Sequence, residues 1–554
     1  MYLRTTQQRR KDGRVVRYLQ LAENYRNASG QTVARVVTHL GREDQVDRAG
    51  LERLVASILR FLGGAGDAAA ADVVGERFAL EAAWELGGPH VIAAVWEELG
   101  LATTLRRAAR RGRFGTDVER AVLVMVCQRC LEPGSKLEAT RWLGDEVRLP
   151  GIERVSDDQL YRAMDFLLAQ ADAVQEAVFG SVANLLNLEV DLVFFDTTST
   201  YFEVESDPDD KDASDGGELR RLGHSKDHRP DLPQVVIGLA VTKSGIPVRC
   251  WVWPGNTSDQ TLVEQVRDDL RGWKLDKSIF VADSGFSGRD NLAYLKRAYG
   301  HYLTGIRMRA GMPEVEAALS RQGRYLKVAE NLSVKEVWLN RGGAGERRFI
   351  VCRNDEEARR DRAHREQAIA RLEAELAALK TLDHDAHQQR ECTLRAHPSL
   401  GRWLRQTETG RLVIDRARIA AEARLDGKYL IETSDRTLST ADAALAYKNL
   451  QEAERAFRDL KGRISLRPVY HRLDERIRAH VLICFLALLI IRVCETRAGH
   501  TWPVQRRLLR RIKLARFLSK DGRFEQRSEL DAEQKALLST LQVAEPARVA
   551  TVNL

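Results

Sequence analysis

Two aspartates stand at the ends of apolar runs, Asp196 in FFDTTS and Asp283 in VADSGF. Such runs predict buried strands, and neighbouring parallel strands that end together would bring the two carboxylates close to each other. Close carboxylates repel unless a cation lies between them, and oxygen ligands suit Mg²⁺ or Mn²⁺. Aspartates in DTTS and DSG are also typical of turns and helix caps, so the pattern alone leaves both interpretations open.

A third acid lies on a helix predicted over residues 439–462, which begins at a serine–threonine pair and ends near a glycine. One face of this helix carries residues three or four positions apart: Tyr447, Leu450, Glu454, Phe457 and Lys461. The apolar members predict a buried or nearly buried face, where the charge of Glu454 must be neutralised. A metal ion would neutralise it, and so would Arg458 or another arginine.

The elements that must position these acids form an α/β pattern. From residue 191 the chain reads as three strands, followed by helix, strand, helix and strand, and residues 427–435 add another strand. This order predicts a mixed sheet flanked by helices. Residues 308–424 interrupt it with short strand-like pieces over 325–352 and a charged helical hairpin.

The regions outside this sheet are predicted from local patterns. Residues 1–45 predict a β-hairpin and residues 46–75 a helix with a small-residue linker. Residues 76–188 predict packed helices. Two of these helices begin at predicted capping boxes, Thr116 with Glu119 and Ser156 with Gln159. The arginine-rich stretch 106–113 could contact phosphates or form a solvated face. Residues 501–520 carry seven basic residues and no acid, which predicts a basic amphipathic helix for DNA or a membrane surface.

The composition narrows the class of protein. The chain has 554 residues, 44% of them hydrophobic, and a net charge of +8, which leans toward a polyanionic partner. Seven scattered cysteines favour core thiols in a reducing compartment over disulfides or a zinc site. The N-terminus lacks a signal-peptide pattern, and the apolar run 481–491 is shorter than the about 20 residues that span a bilayer. We therefore expect a soluble cytoplasmic protein.

Several motifs between about residues 190 and 495 resemble the DDE transposases of bacterial insertion sequences, in particular the insertion-sequence-four-type branch with a β-rich insertion before the glutamate. The motifs are FFDTTSTYFE, GHSKDHRPDLPQVVIGLAV, WPGNTSDQTL, VADSGFSGRDNL and YKNLQEAERAFRDLKGRISLRPVYHR. The resemblance implies an RNase H-like core in which Asp196, Asp283 and Glu454 are the catalytic residues. It also implies that these three acids bind two Mg²⁺ ions, for which Mn²⁺ could substitute.

The family signature around the glutamate is Tyr, two residues, Arg, three residues, Glu, six residues and Lys. Tyr447, Glu454 and Lys461 match it, whereas Leu450 stands at the arginine position. The resemblance implies that Lys461 contacts a terminal phosphate, and Tyr447 is a second candidate for such a contact. The remaining candidate DNA contacts are Lys226, Arg229 and Arg458, with loop solvation as the alternative for the first two.

The implied activity is cleavage of DNA at the terminal inverted repeats and strand transfer into target DNA, performed by a homodimer on double-stranded DNA. We expect a nucleoid-associated location in the cytoplasm and no membrane partner. Three alternatives remain: an RNase H-like metal nuclease that cuts without joining, a catalytically inactive DNA-binding descendant, and a membrane-surface protein that uses residues 501–520.

The predicted domain organisation has six segments. They are an N-terminal β-rich segment and linker (1–75), a helical candidate DNA-binding domain (76–188), the first part of the catalytic core (189–307), the insertion domain (308–424), the second part of the core with the glutamate helix (425–495), and a basic helical region (496–554).

Overall fold

The protein is described by a computed structural model. It describes residues 2–9, 15–26, 32–42, 46–47, 50–51, 54, 79–112, 114, 117–185, 191–203, 218–273, 275, 278–343, 345–519 and 522–553. Most of the helix and linker predicted over 46–75 lies outside these residues.

The strands are β1 (Tyr2–Arg9), β2 (Val15–Arg26), β3 (Thr32–Arg42), β4 (Ala79–Glu85), β5 (Leu192–Tyr201), β6 (Gln234–Val241), β7 (Pro247–Pro254), β8 (Ile279–Ala282), β9 (His301–Ile306), β10 (Leu326–Ala329), β11 (Leu332–Leu339), β12 (Arg347–Arg353), β13 (Leu404–Gln406), β14 (Leu412–Ile414), β15 (Lys428–Thr433), β16 (Lys513–Ser519), β17 (Gly522–Arg527) and β18 (Val549–Asn553).

The helices are α1 (Gly87–Glu98), α2 (Leu101–Arg111), α3 (Val118–Leu131), α4 (Lys136–Asp145), α5 (Asp157–Ala169), α6 (Ala171–Leu185), α7 (Val263–Gly272), α8 (Arg289–Leu295), α9 (Pro313–Ser320), α10 (Asp355–Leu379), α11 (His384–Ala396), α12 (Arg416–Ala423), α13 (Thr440–Lys448), α14 (Gln451–Lys461), α15 (Asp474–Ala498), α16 (Trp502–Leu509) and α17 (Ala532–Thr540).

The chain divides into two compact units whose boundaries differ from the six predicted segments. The first unit combines residues 1–95, 137–155 and 497–554, and the second combines residues 96–136 and 156–496. The first unit therefore joins stretches that are far apart in sequence, which no local pattern could indicate.

The first unit contains two antiparallel sheets. Strands β1, β2 and β3 form one, which confirms the predicted N-terminal hairpin and adds a third strand. The other has the order β18-β17-β16-β4. This second sheet shows that two predictions were wrong. Residues 79–85 form strand β4, although the region was predicted to be helical. Residues 501–520 were predicted to form one helix, but they form α16 followed by β16. The pairing of β4 with β16 explains both differences.

The second unit is built on a nine-stranded sheet with the order β10-β11-β12-β15-β9-β8-β5-β6-β7. Strand β8 runs parallel to β5 and β9, and the other neighbours are antiparallel. Helices flank the sheet, and a buried cluster that includes Phe195, Trp251, Val263 and Phe280 packs against it. The predicted RNase H-like mixed sheet is confirmed.

The stretch predicted as a separate insertion is partly continuous with this sheet. Strands β10, β11 and β12 extend it beyond β15, which the sequence did not indicate. Helices α10 and α11 form the predicted charged hairpin, and they share a small core with β13, β14 and α12 around Leu372, Leu394 and Trp403. The hairpin thus has a hydrophobic cluster of its own.

The helix predicted over 439–462 is two helices, α13 and α14, separated by Asn449 and Leu450. At the break the amide of Leu450 donates to the carbonyl oxygen of Tyr447, three residues back, at 3.0 Å. Asparagine competes with the backbone for hydrogen bonds and disfavours helix interiors, which gives a local reason for the break.

Helix α15 contains the apolar run 481–491 and is buried, as predicted. Within the described part of the chain it is the one helix long and apolar enough to cross a membrane, and 94% of its most apolar window is buried inside the protein. A core helix of a soluble protein has the same properties. Earlier in the chain, the predicted capping box at the start of α5 is confirmed between Ser156 and Gln159. Thr116 of the other predicted capping box lies outside the described residues, and Asp117 caps α3 by accepting a hydrogen bond from the amide of Arg120.

Candidate active site

The strands that lead to Asp196 and Asp283 are parallel neighbours. Phe195 on β5 is in register with Ala282 on β8, and the two aspartates occupy the next position on each chain. Neighbouring strands lie about 4.8 Å apart, so the register brings the backbones of the two aspartates side by side. The sequence pattern indicated this approach.

Asp196 does not end its strand, contrary to the prediction. Strand β5 continues to Tyr201, because residues 197–201 pair with the antiparallel strand β6. Strand β8, in contrast, stops at Ala282. Asp196 therefore marks the end of the parallel pairing rather than the end of the strand, and Asp283 begins a short 3-10 helix.

The carboxylate of Asp196 is held in an environment that disfavours its charge. Burial raises its pKa to about 6, and the negative charges of Asp283 and Asp259 act in the same direction. The positive charge of Lys226 and a hydrogen bond from the Thr197 amide, 2.7 Å from Oδ1, act against the increase. Clustered acids of this kind are stabilised by a bound cation.

Asp259 is a fourth acid at this site, which sequence reasoning missed. Its Oδ1 accepts a hydrogen bond from the Thr197 hydroxyl at 2.6 Å, and its Oδ2 lies 3.2 Å from the ammonium of Lys226. Asp259 stands in the motif WPGNTSDQTL, which supported the resemblance, but nothing in its local pattern distinguishes it from a cap of the short helix that it begins.

The glutamate helices lie across the sheet. Helix α14 packs on β5 and β6, and α13 packs on β8 and β9. On α13, the Tyr447 hydroxyl donates to Oδ1 of Asp283 at 3.3 Å. Burial raises the pKa of Tyr447, and the charges of Asp283 and Glu454 add to the effect. Tyr447 therefore lies within electrostatic reach of both acids.

Glu454 is exposed, whereas the face that carries it was predicted to be buried. On the same face Leu450 and Phe457 are buried and Tyr447 and Lys461 are half-buried, so the acid is the most exposed member of the stripe. The alternative explanation for Glu454, a pairing with Arg458 or another arginine, is not observed, because Glu454 forms no ion pair with a described residue. The structure leaves this carboxylate accessible.

Asp283 and Glu454 line one open cleft with a volume of about 340 Å³. Tyr447 and Leu450 also line it, and so does Lys448. Asp196 is not on the wall of this cleft. The structure thus brings Asp283 and Glu454 to a shared cleft and places Asp196 beside Asp283.

The donor set fits a divalent cation. Asp196, Asp283 and Glu454 offer carboxylate oxygens, the ligand type that Mg²⁺ and Mn²⁺ prefer. The positive charge of a bound ion would relieve the repulsion among the acids around Asp196. Among the described residues, no three His, Cys, Asp or Glu side chains form a ready-made metal cluster, so these carboxylates would have to come closer together to share a metal ion.

Two of the predicted DNA contacts are lysines already engaged near the site. The Lys226 ammonium donates to Oγ1 and the carbonyl oxygen of Thr197, at 2.6 and 2.8 Å. The Lys461 ammonium lies 2.8 Å from Oδ1 of Asp227, and Arg467 contacts the other carboxylate oxygen at 3.1 Å. Sequence reasoning missed both Asp227 and Arg467.

The two remaining candidates are arginines on the surface. Arg229 pairs with Asp231 at 2.7 Å and stacks over Tyr201, 5.4 Å from the ring centroid. Arg458 is exposed on α14 and forms no ion pair within the described part of the chain. Of the predicted DNA contacts, Arg458 is therefore the cation that no described acid neutralises.

Two protein families match parts of the chain. Residues 215–490 match the family described as Transposase DDE domain, a range that contains Asp283 and Glu454 and begins after Asp196. Residues 3–70 match the family described as IS1634 family transposase, N-terminal domain. The chain belongs to the DDE transposases of insertion sequences.

No curated protein matches the chain. Among solved structures, the cryo-EM structure of the piggyBac transposase synaptic complex with hairpin DNA is similar over 72% of this chain and 70% of that chain, with 8% identity and a TM-score of 0.34. A likeness at this level carries no argument about function.

Proposed function

We propose that this transposase cleaves DNA at the ends of its insertion sequence and joins the freed 3′ ends to target DNA, with Asp196, Asp283 and Glu454 as the catalytic acids. The observation that carries the proposal is the parallel register that sets Asp196 beside Asp283, together with the cleft that Asp283 shares with Glu454. A metal nuclease needs such a convergence of carboxylates.

The three acids would hold two Mg²⁺ ions, or Mn²⁺ in their place. Bound ions of this kind lower the pKa of the attacking water and stabilise the leaving oxygen of a phosphodiester. The protein itself orients the acids: the Tyr447 hydroxyl holds Asp283, and the Thr197 amide holds Asp196.

Cations around the site would bind the DNA backbone. Lys461, Arg458 and Arg229 are the proposed phosphate contacts, while Lys226 acts closer to the acids through Thr197 and Asp259. The partner is double-stranded DNA, both the terminal inverted repeats and the target, so the protein acts inside the cell. Two ends must be processed together, for which we propose a homodimer on DNA.

The test uses a plasmid that carries the DNA flanking this gene, incubated with purified protein and Mg²⁺ or Mn²⁺. Broken and joined ends are mapped for the wild type, for Glu454→Gln and for the control Glu452→Gln, an equal change two residues away on α14. We expect metal-dependent breaks at the inverted repeats and joined products, reduced about 100-fold or more by Glu454→Gln, since lost charge stabilisation is worth several kcal/mol.

Other outcomes have distinct meanings. Breaks that survive Glu454→Gln would show that another residue is the third acid. Breaks without joined products would replace the proposal with a metal nuclease. Binding of the ends by the wild type without cleavage would indicate an inactive DNA-binding descendant.

A further inference from the structure

Helix α2 carries two kinds of arginine. Arg106 faces the protein and contacts two acids, the buried Glu119 at 3.0 Å and Glu97 at 2.7 Å. Arg107, Arg110 and Arg111 are exposed, and none of them forms an ion pair with a described residue. The two acids therefore explain Arg106, while the other three cations need a different explanation.

The three exposed arginines share one face. Positions i, i+3 and i+4 are neighbours on a helix surface, and residues 107–111 span about 6 Å along the helix axis at 1.5 Å per residue. The opposite side of α2 anchors it, because Leu101, Ala102 and Leu105 are fully buried. The basic face is thus presented on a fixed element.

An open groove of about 450 Å³ runs along this face. Its walls are formed by Thr103, Arg106, Arg107, Arg110 and Arg111. Four guanidinium groups and one hydroxyl give the groove hydrogen-bond donors and positive charge, and no acid lines it. Guanidinium groups match the geometry of phosphate oxygens, so the chemistry of the groove suits a polyanion.

A structural role at the helix end explains only part of this pattern. Arg110 and Arg111 lie in the last turn of α2, where cations interact favourably with the helix dipole, by about 0.3–1 kcal/mol each. Arg107 lies outside the last turn, so the helix dipole does not explain its position. The dipole also does not explain why the groove beside these arginines is lined by no acid. An external anion accounts for all three residues.

We propose that the basic face of α2, formed by Arg107, Arg110 and Arg111, binds the phosphate backbone of duplex DNA at a distance from the cleavage chemistry. Each strand of duplex DNA carries one phosphate about every 3.4 Å of duplex axis, so a row of guanidinium groups over about 6 Å of α-helix can face several phosphates of the two strands. The inference rests on the proposed function, since it names a second DNA contact of the same transposase. It also gives the helical segment 76–188 a specific DNA-contacting element.

The test measures how salt changes the affinity of the full-length protein for a fluorescent duplex carrying the terminal sequence. The variant is Arg107→Gln/Arg110→Gln/Arg111→Gln. The charge-matched control is Arg362→Gln/Arg371→Gln/Arg395→Gln, which removes three exposed arginines from α10 and α11. A second variant with lysine at positions 107, 110 and 111 keeps the charge.

We expect the slope of log affinity against log salt to become shallower by about 2.7 in the α2 glutamine variant, because each lost phosphate contact removes about 0.9. Between 50 and 200 mM salt the variant should then lose about 40-fold less affinity than the wild type. The lysine variant and the control should keep the wild-type slope. Thermal denaturation of each protein checks that the fold is retained.

Two results would overturn the proposal: an unchanged slope in the α2 glutamine variant, or an equal change in that variant and in the control, which would reflect net charge alone. Binding does not require cleavage, so the two proposals fail separately. A wild type that binds no DNA would contradict the proposed function as well, whereas normal binding and cleavage by the α2 variant would contradict only this inference.

Discussion

The ammonium of Lys461 is joined to the carboxylate of Asp227, with 2.8 Å between Nζ and Oδ1. Both side chains are mostly buried, and Arg467 contacts the second oxygen of the same carboxylate. An acid therefore occupies the position between two cations where a DNA phosphate would be expected to bind. Burial lowers the pKa of Lys461, and Asp227 opposes this decrease.

We predict that Asp227→Asn strengthens binding of terminal DNA about 3- to 10-fold at low salt. The substitution removes a negative charge that competes with phosphate, an interaction on the order of 1 kcal/mol when water screens it as in bulk solvent. Fluorescence anisotropy with a terminal duplex measures the effect. Asp385→Asn, an equal loss of charge at an exposed position on α11, is the control, and weaker binding by Asp227→Asn would show instead that the acid is needed to position Lys461.

Tyr447→Phe is predicted to reduce the cleavage rate about 10-fold and to lower the free energy of unfolding by no more than the value of one hydrogen bond. The variant loses the hydrogen bond to Asp283, and such a bond to a charged group contributes about 1.5–3 kcal/mol. The ring keeps its stacking on Tyr429, 5.9 Å away. Single-turnover cleavage with Mg²⁺ and thermal denaturation provide the two measurements.

The control for this prediction is Tyr429→Phe. This variant removes the hydroxyl of the ring that stacks on Tyr447 and leaves the hydrogen bond between Tyr447 and Asp283 in place. If both variants lose the same activity, the effect arises from packing in the cleft wall, and Tyr447 does not orient the acid.

The sequence predicted the part of the site that depends on local pattern. Apolar runs before Asp196 and Asp283 identify buried strands, and their parallel register follows once both strands belong to one sheet. Helical spacing placed Glu454 on the same stripe as Tyr447. The stripe did not reveal that the acid is exposed, because exposure depends on the cleft between helix and sheet.

Contacts between distant residues could not be predicted in this way. Asp227 and Lys461 are 234 positions apart, and an acid in a loop motif gives no sign of its partner. The prediction of one helix over 501–520 was wrong for the same reason, because it ignored a contact with a distant part of the chain. Residues 513–518 of this basic segment pair with β4, more than 400 residues earlier in the chain, and tertiary pairing overrides local periodicity.

A buried lysine gives a prediction on stability. Burial and the charge of Arg129 lower the pKa of Lys136 to about 7, with Cys484 acting in the opposite direction. His471 and His480 belong to the same basic cluster. An unfolded lysine has a pKa of about 10.4, so the unfolded chain binds more protons than the folded chain between pH 7 and about 10.4. The contribution of Lys136 to stability therefore becomes more favourable as pH rises through this window.

We predict that Lys136→Met stabilises the protein at pH 7 by an amount on the order of a few kcal/mol, and that the gain shrinks as pH rises towards 10. Chemical denaturation of the wild type and the variant at several pH values gives the difference, in which other titrating groups cancel. Lys243→Met, at an exposed turn, should show no such trend. A gain independent of pH would contradict the assigned pKa.

A buried ion-pair cluster fixes the glutamate helix to α15. The guanidinium of Arg492 lies 2.7 Å from Asp459 on α14 and 2.7 Å from Glu495 on α15, and all three side chains are buried. Removing one partner of a buried pair costs about 3–5 kcal/mol. Arg463 offsets part of this cost, because its guanidinium lies 3.3 Å from each of the two carboxylates.

Arg492→Met should therefore lower the midpoint of thermal denaturation far more than Arg362→Met, an equal change at an exposed position on α10. Adding Asp459→Asn to Arg492→Met should recover part of the lost stability, because it removes the charge of one carboxylate that has lost its contact with Arg492. A double-mutant cycle measures the coupling between the two residues. If the double variant is as unstable as the sum of the single variants, Arg492 and Asp459 are not coupled. Since α14 carries Glu454, we also expect Arg492→Met to lose cleavage activity at temperatures where the control variant remains active.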